Sequence, residues 1–225
     1  MKRILAPLSA LALSTFALGA APARAGEVLD VLEKSYSAQN FKDLRFEMSI
    51  GTIDVRASDR SDIHVSIELR CRSRHELGRC RAAAKNVHLE EDRDDDVLEL
   101  ELRQKGARRS LIEVVAILEA PRKLGLDLDL GVGEVEVVGF EDDIKIDLGI
   151  GEASVIAPEA AFRTVRIDAG IGESDLIAGG RHFESAGLFT DEITWTKGPG
   201  KASVYVDCGI GEARVRLEGE KRAAR

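Results

Sequence analysis

Aromatic residues are scarce in this chain: one tryptophan, two tyrosines and seven phenylalanines, 4% of 225 residues. No aromatic row of the kind that stacks on sugar rings can be built from so few, and Trp195 reads as a core or rim residue. The four histidines, His64, His75, His88 and His182, have no i, i+2 or i+4 partners, so zinc-ligand spacing is missing. The three cysteines form no Cys-x-x-Cys, which removes the usual redox motif. Gly-x-Ser-x-Gly, a phosphate loop and His-Glu-x-x-His are all lacking. Positive charge is also short: 32 lysines and arginines against 40 acids give a formal charge of −8. That balance argues against nucleic acid and anionic lipid as partners.

One long apolar run exists, Ile4 to Ala20, preceded by Lys2-Arg3 and followed by the small-x-small sequence Ala23-Arg24-Ala25. This is the pattern of a secretory signal peptide over residues 1–25 rather than of a membrane span. Gly26 follows the cut, so no lipid-modified cysteine is expected there, and no other segment spans or anchors to a membrane. Without Lys2, Arg3 and Arg24 the charge of −8 becomes −11. The expected product is periplasmic or secreted, acidic and about 200 residues long, enough for one domain with its own core. Residues 26–42 read as an extension with little regular structure, 43–217 as the domain, and 218–225 as a charged tail that frays.

What is abundant is a repeated unit. Ile144-Lys145-Ile146-Asp147-Leu148-Gly149-Ile150-Gly151-Glu152 recurs as Asp129 to Glu134, Asp168 to Glu173 and Asp207 to Glu212, with a worn copy at Met48 to Val55. Before the glycines, alternate residues are apolar, as in a strand with one buried face. After them the apolar parity flips. Val132, Ile150, Ile171 and Ile210 share the buried parity up to the flip, which marks a corner or bulge. About 18–21 residues separate Gly131, Gly149 and Gly170, and about twice that separates Gly170 from Gly209, the spacing of a β-solenoid. The missing coil should run through Leu188 to Ile193, and Phe140, Phe162 and Phe183 read as an internal corner stack.

Outside the repeats, strands are expected at Leu44–Ile50, Ile53–Ala57, Ile63–Cys71, Ala82–Leu89, Leu98–Leu102 and Leu111–Leu118, where Pro121 then stops ladder pairing. The charge clusters Glu90–Asp96 and Arg103–Arg109 read as solvated loops between strands. The fold class is therefore all-β: a solenoid, right-handed on general chirality, capped by antiparallel strands from the first half of the domain.

Cys71 and Cys80 bracket an arginine-rich loop and are expected to form a disulfide. Cys208 occupies the slot that Leu130, Leu148 and Ala169 fill elsewhere, and reads as a small core residue. Stacked coils would align Asp129, Asp147 and Asp168 in one column and Glu134, Glu152 and Glu173 in another, with Asp207 and Glu212 further along. Like charges about 4.8 Å apart repel by about 0.9 kcal/mol in water and about 3.5 kcal/mol at an effective dielectric of 20. Two readings follow: a calcium-binding ladder of oxygens, or turn-capping and solubilising acids with no metal and no cofactor. A glycosidase pair is disfavoured, since a catalytic pair is singular and these acids repeat.

The opening unit Ile50-Gly51-Thr52-Ile53-Asp54-Val55, the strand ending Ala120-Pro121-Arg122-Lys123 and the serial Gly-x-Gly-Glu-x-x-Val units resemble the bacterial "putative adhesin" β-repeat family. That group resembles in turn the toast-rack domains of envelope-stress regulators. The likeness covers about Phe46 to Leu217. It implies an extracytoplasmic β-repeat domain without catalytic residues, linked with envelope stress or surface interaction. The chain differs from membrane-tethered members in lacking a membrane helix and a C-terminal anchor. The expected function is a non-enzymatic envelope protein that binds or scaffolds another envelope protein. The alternative is an adhesin-like module that binds glycan or matrix with calcium.

Overall fold

The computed structural model describes residues 27–104, 111–188 and 192–219. The expected signal peptide, most of the charged tail and the basic stretch 105–110 lie outside the described residues. Within them the chain is all-β, with one short helix.

Five long strands form the centre: β2 (Asp43–Ser58), β7 (Gly125–Val138), β8 (Ile144–Pro158), β9 (Phe162–Ala178) and β12 (Ala202–Glu218). All are parallel, in the spatial order β2-β7-β8-β12-β9. Each bends at its Gly-x-Gly, or in β2 at Ser49-Ile50-Gly51, and the halves before and after the bend bury their apolar residues in one core. In β7 these are Leu126, Leu128 and Leu130 before the bend and Val135 and Val137 after it.

The sheet forks at both sides because a bent strand offers each half to a different neighbour. The first half of β2 pairs with β5 (Val97–Gln104), which carries β4 (Val87–Asp94) antiparallel. Its second half pairs in parallel with β6 (Ile112–Pro121), then come antiparallel β3 (Asp62–Cys71) and β1 (Glu27–Ser37). At the far side, β10 (Arg181–Leu188) and β11 (Ile193–Trp195) pair antiparallel with the two halves of β9. The result is a mixed, unclosed sheet.

Several expectations change. Chain order does not set spatial order: β12 lies between β8 and β9, so the repeats do not stack in succession. The segment expected to carry a missing coil is instead flanked by antiparallel β10 and β11, with 189–191 outside the described residues. The extension after residue 26 is an edge strand whose mostly exposed positions hide its periodicity. Ala82–Ala84 belong to helix α1 (Leu77–Ala84), and the strand begins only at Val87, because alanine and arginine favour the helix. Asn86 closes that helix, its backbone N–H donating to Ala83 O and its side chain to Ala82 O. Glu90–Asp94 lie within β4, and the turn is confined to Asp95-Asp96. Phe140 and Phe162 are fully buried, whereas Phe183 is half-buried on β10 beneath the Arg181 guanidinium.

Candidate functional site

The glycines of the bends are fixed by their surroundings. Gly133, Gly151, Gly172 and Gly211 have φ between +142° and +146° or, for Gly211, +140°. A Cβ on Gly151 would lie 1.7 Å from the carbonyl oxygen of Gly133, and one on Gly211 would lie 1.8 Å from that of Gly151. No side chain fits, so the second glycine of each unit is a requirement of parallel bends stacked in register.

That bend reverses one expectation. The parity change starts at the first glycine, so the residue between the glycines points outward. Ile50, Val132, Ile150, Ile210 and Ile171 are 43%, 41%, 48%, 46% and 39% exposed, and register places them in that order on adjacent strands. Among the described residues, the other large apolar side chains with comparable exposure are Val28 and Val31, on edge strand β1. Apart from that edge, the exposed large aliphatic side chains among the described residues form one ridge along the outside of the bend, flanked by glycine on each side except at Ser49.

Acidic rows flank this ridge. On one side register aligns Glu101, Glu47, Asp129, Asp147, Asp207 and Asp168, so Asp207 stands between Asp147 and Asp168 rather than beyond them. On the other side stand Glu134, Glu152, Glu212 and Glu173. The ridge separates the Asp and Glu columns. Among the described residues, no three ladder carboxylates converge within 4.8 Å of one another.

The chemistry of adjacent rows differs. Two residues before the Asp row, Arg45 reaches Glu99 at 2.5 Å and Asp127 at 3.2 Å, and Lys145 reaches Asp127 at 3.1 Å. Arg166 pairs with Glu192 at 2.8 Å and lies over the Tyr205 ring. Opposite charges thus alternate across that row. In the Asp row, among the described residues, no lysine or arginine forms an ion pair with Glu47, Asp129, Asp147, Asp207 or Asp168. Partial burial, followed by the charges of Asp147 and Asp127, pushes the Asp129 carboxyl above its ordinary value. Burial, then Glu101 and Asp129, does the same to Glu47. In the Glu row, Arg214 pairs with Glu212 and lies 3.9 Å from Glu152.

A second cluster escaped the sequence reading. His182 Nε2 lies 2.6 Å from Asp175 Oδ2 and 3.2 Å from Glu184 Oε1. The hairpin around Gly179-Gly180 pairs Asp175 with Glu184 and Ile177 with His182, and that Gly-Gly turn was the available signal. The donor set suits a divalent transition metal. The Asp175 hydrogen bond, and then the charges of Asp175 and Glu184, raise the imidazole's affinity for a proton. The other histidines lie on different elements: His64 on β3, where it bonds Ser35 Oγ, His75 in the turn before α1, and His88 on β4.

The cysteines stand as expected. Cys71 and Cys80 form a disulfide, Cα–Cα 5.6 Å, which ties α1 to the end of β3. Cys208 is buried opposite Leu148 and Ala169, and burial raises its thiol, so it is poorly suited to attack. A cleft of about 950 Å³ opens near the ends of β7 and β8, with Arg122, Glu141, Pro158 and Glu218 on its walls. Among the described residues its lining holds no serine, cysteine or histidine.

No protein-family model matches the chain, and no curated protein sequence matches it. Among solved structures it is similar to a "putative cell adhesion protein" from Clostridium sporogenes, with a TM-score of 0.49 and 12% identity, over 85% of this chain and 100% of that one. It is also similar to a "putative adhesin" from Bacteroides fragilis, with a TM-score of 0.30 and 11% identity, over 84% and 97% of the two chains. A third, a "putative adhesin" from Parabacteroides merdae, has a TM-score of 0.28 and 12% identity, over 82% and 80%. The chain is similar to proteins that carry the adhesin name.

Proposed function

We propose that this chain is a non-enzymatic binding module of an exported envelope protein, and that it holds another envelope polypeptide against the outside of its bent sheet. The observation that carries this reading is the ridge of five exposed aliphatic residues in register between two acidic rows. A monomeric soluble domain seldom gathers exposed aliphatic side chains in this way without a partner for them. The Cys71–Cys80 disulfide fits an oxidising compartment. In this reading the parallel strands are a short, interrupted solenoid, rigid enough to present a row of side chains at fixed spacing.

Photo-reactive residues at Val132 and Ile150, with Arg74 beside α1 as a control position, test the reading in cells. Discrete polypeptide adducts from the ridge and none from the control are expected. No adducts at the ridge, or adducts to glycan alone, would sink it. The acidic rows favour one second reading, an adhesin-like module assisted by calcium. Calcium would then raise the unfolding temperature, and chelation would reverse the gain.

A further inference from the structure

We infer that the ridge formed by Ile50, Val132, Ile150, Ile210 and Ile171, with the acidic rows beside it, is a docking surface for a cationic amphipathic helix of a partner polypeptide. This rests on the proposed binding function and specifies the chemistry of the partner.

Spacing supports a helix running along the ridge. Five rungs about 4.8 Å apart span about 19 Å. A helix rising about 1.5 Å per residue covers that length in about 13 residues. Its apolar stripe returns on average every 3.5 residues, or about 5.3 Å, so the mismatch accumulates to only about 2 Å over the ridge. An extended strand laid along the ridge would present same-face side chains about 6.7 Å apart and would leave register after the second rung. The match is thus to a helix, and to a short one.

Charge then selects the kind of helix. Asp129, Asp147, Asp168 and Asp207 precede the ridge by three residues, about 10 Å along the chain, and Glu134, Glu152, Glu173 and Glu212 follow it by two, about 7 Å. Lysines and arginines beside an apolar stripe reach sideways over such distances while their stems cover apolar surface. At the outer end of the Asp row Arg103 pairs with Glu101, but among the described residues no lysine or arginine pairs with Glu47, Asp129, Asp147, Asp207 or Asp168, and these crowded carboxylates gain most from a cation. A second copy of this chain would set acid rows against acid rows. An anionic membrane would be repelled by both.

The test uses the purified chain and a synthetic 15-residue leucine–lysine peptide patterned as an amphipathic helix. Its controls are a peptide of the same composition in scrambled order and a leucine–glutamate counterpart. Isothermal titration should show saturable binding of the amphipathic cationic peptide, at least tenfold tighter than either control. Ile150→Ser with Ile210→Ser should weaken it at least tenfold. Asp147→Asn with Asp207→Asn should weaken it several-fold and flatten its salt dependence, with circular dichroism unchanged in both variants. Equal binding of the scrambled peptide, no effect of the isoleucine substitutions, or no binding at all would overturn the helix inference. So would ridge-dependent dimers in sedimentation, or ridge-dependent co-sedimentation with phosphatidylcholine vesicles in place of peptide binding. If Val132 and Ile150 still crosslink to a polypeptide when the peptide fails, the binding function stands and only the helix is wrong. If the peptide binds and the cellular crosslinks are absent, the failure belongs to the function.

Discussion

The region from β1 to β6 and the region from β7 to β12 share one core yet treat their surface charges differently. In the first, several acids are matched with cations two residues away in sequence. Arg56 pairs with Asp54 at 2.6 Å, Arg60 with Asp62 at 2.9 Å, and Arg70 with Glu68. In the second, repetition puts the same residue on neighbouring strands. Asp129 meets Asp147, Asp147 meets Asp207, and Asp207 meets Asp168. A varied sequence can pair its charges locally. A repeated one stacked in register converts each position into a row, and any excess in the unit becomes an excess along the whole face.

The largest expected effect breaks the repeated region itself. Gly151→Ala places a Cβ against the Gly133 carbonyl at a positive φ, and urea unfolding should show a loss of about 4 kcal/mol or more. Gly187→Ala has a φ of +142° but meets no atom of the described residues within 4 Å. It should lose only about 1 kcal/mol, from the backbone alone. Equal losses would mean that register contacts are not what fixes the glycines.

The disulfide belongs to the varied region, where no stacked neighbour repeats its work. Changing Cys71 and Cys80 together to serine should lower stability by about 2–3 kcal/mol, read by the same denaturation. A change near zero would show that α1 and β3 hold each other without it.

The two charge patterns should respond to pH with opposite signs. Asp129 has a folded-state carboxyl raised above its ordinary 3.8, so the native state holds more protons between the two values and stability falls as pH rises through that window. Asp129→Asn should therefore stabilise by a few tenths of a kcal/mol above the window, with the advantage fading as pH drops to about 3.8. Asp62 is lowered by its hydrogen bond to Arg60. Its contribution is present above 3.8 and is lost as pH falls through the folded value, so Asp62→Asn should destabilise near neutrality and approach wild type in acid. Melts of both variants across this range would show the crossing. Parallel profiles would erase the distinction between paired and stacked acids.

The smallest effect sharpens the functional side of the comparison. Ile150→Ser should alter stability by no more than about 0.5 kcal/mol, because that side chain is already half in water. A thermal shift that placed Ile150 among core residues would remove the basis for a binding ridge.

Much of this was legible in the residues. The alternation through Leu126, Leu128 and Leu130, the change of parity at the glycines, the Cys71–Cys80 pair and the core position of Cys208 all follow from local pattern and spacing. The outward turn of Val132 and Ile150 was not legible, because it depends on the φ of the next glycine and the carbonyl stacked against it. The place of β12 was hidden for a different reason. The segments containing Asp147, Asp168 and Asp207 are nearly interchangeable, so local pattern does not decide which lies beside which. The Asp175–His182–Glu184 cluster needed the register of a hairpin, and β1 needed an edge on which to pair.

The position of β12 bears on how the molecule is made. Synthesis completes β9 before β12, and β9 carries nearly the same ladder: Asp168 for Asp207, Gly172 for Gly211, Glu173 for Glu212. Until β12 has formed, β9 therefore offers β8 nearly the same ladder residues that the final strand will offer it. The last strand to appear must find its slot still open or pry it apart. Folding of this protein is in that respect a contest between two near-equal suitors for one partner, and the late arrival has to win.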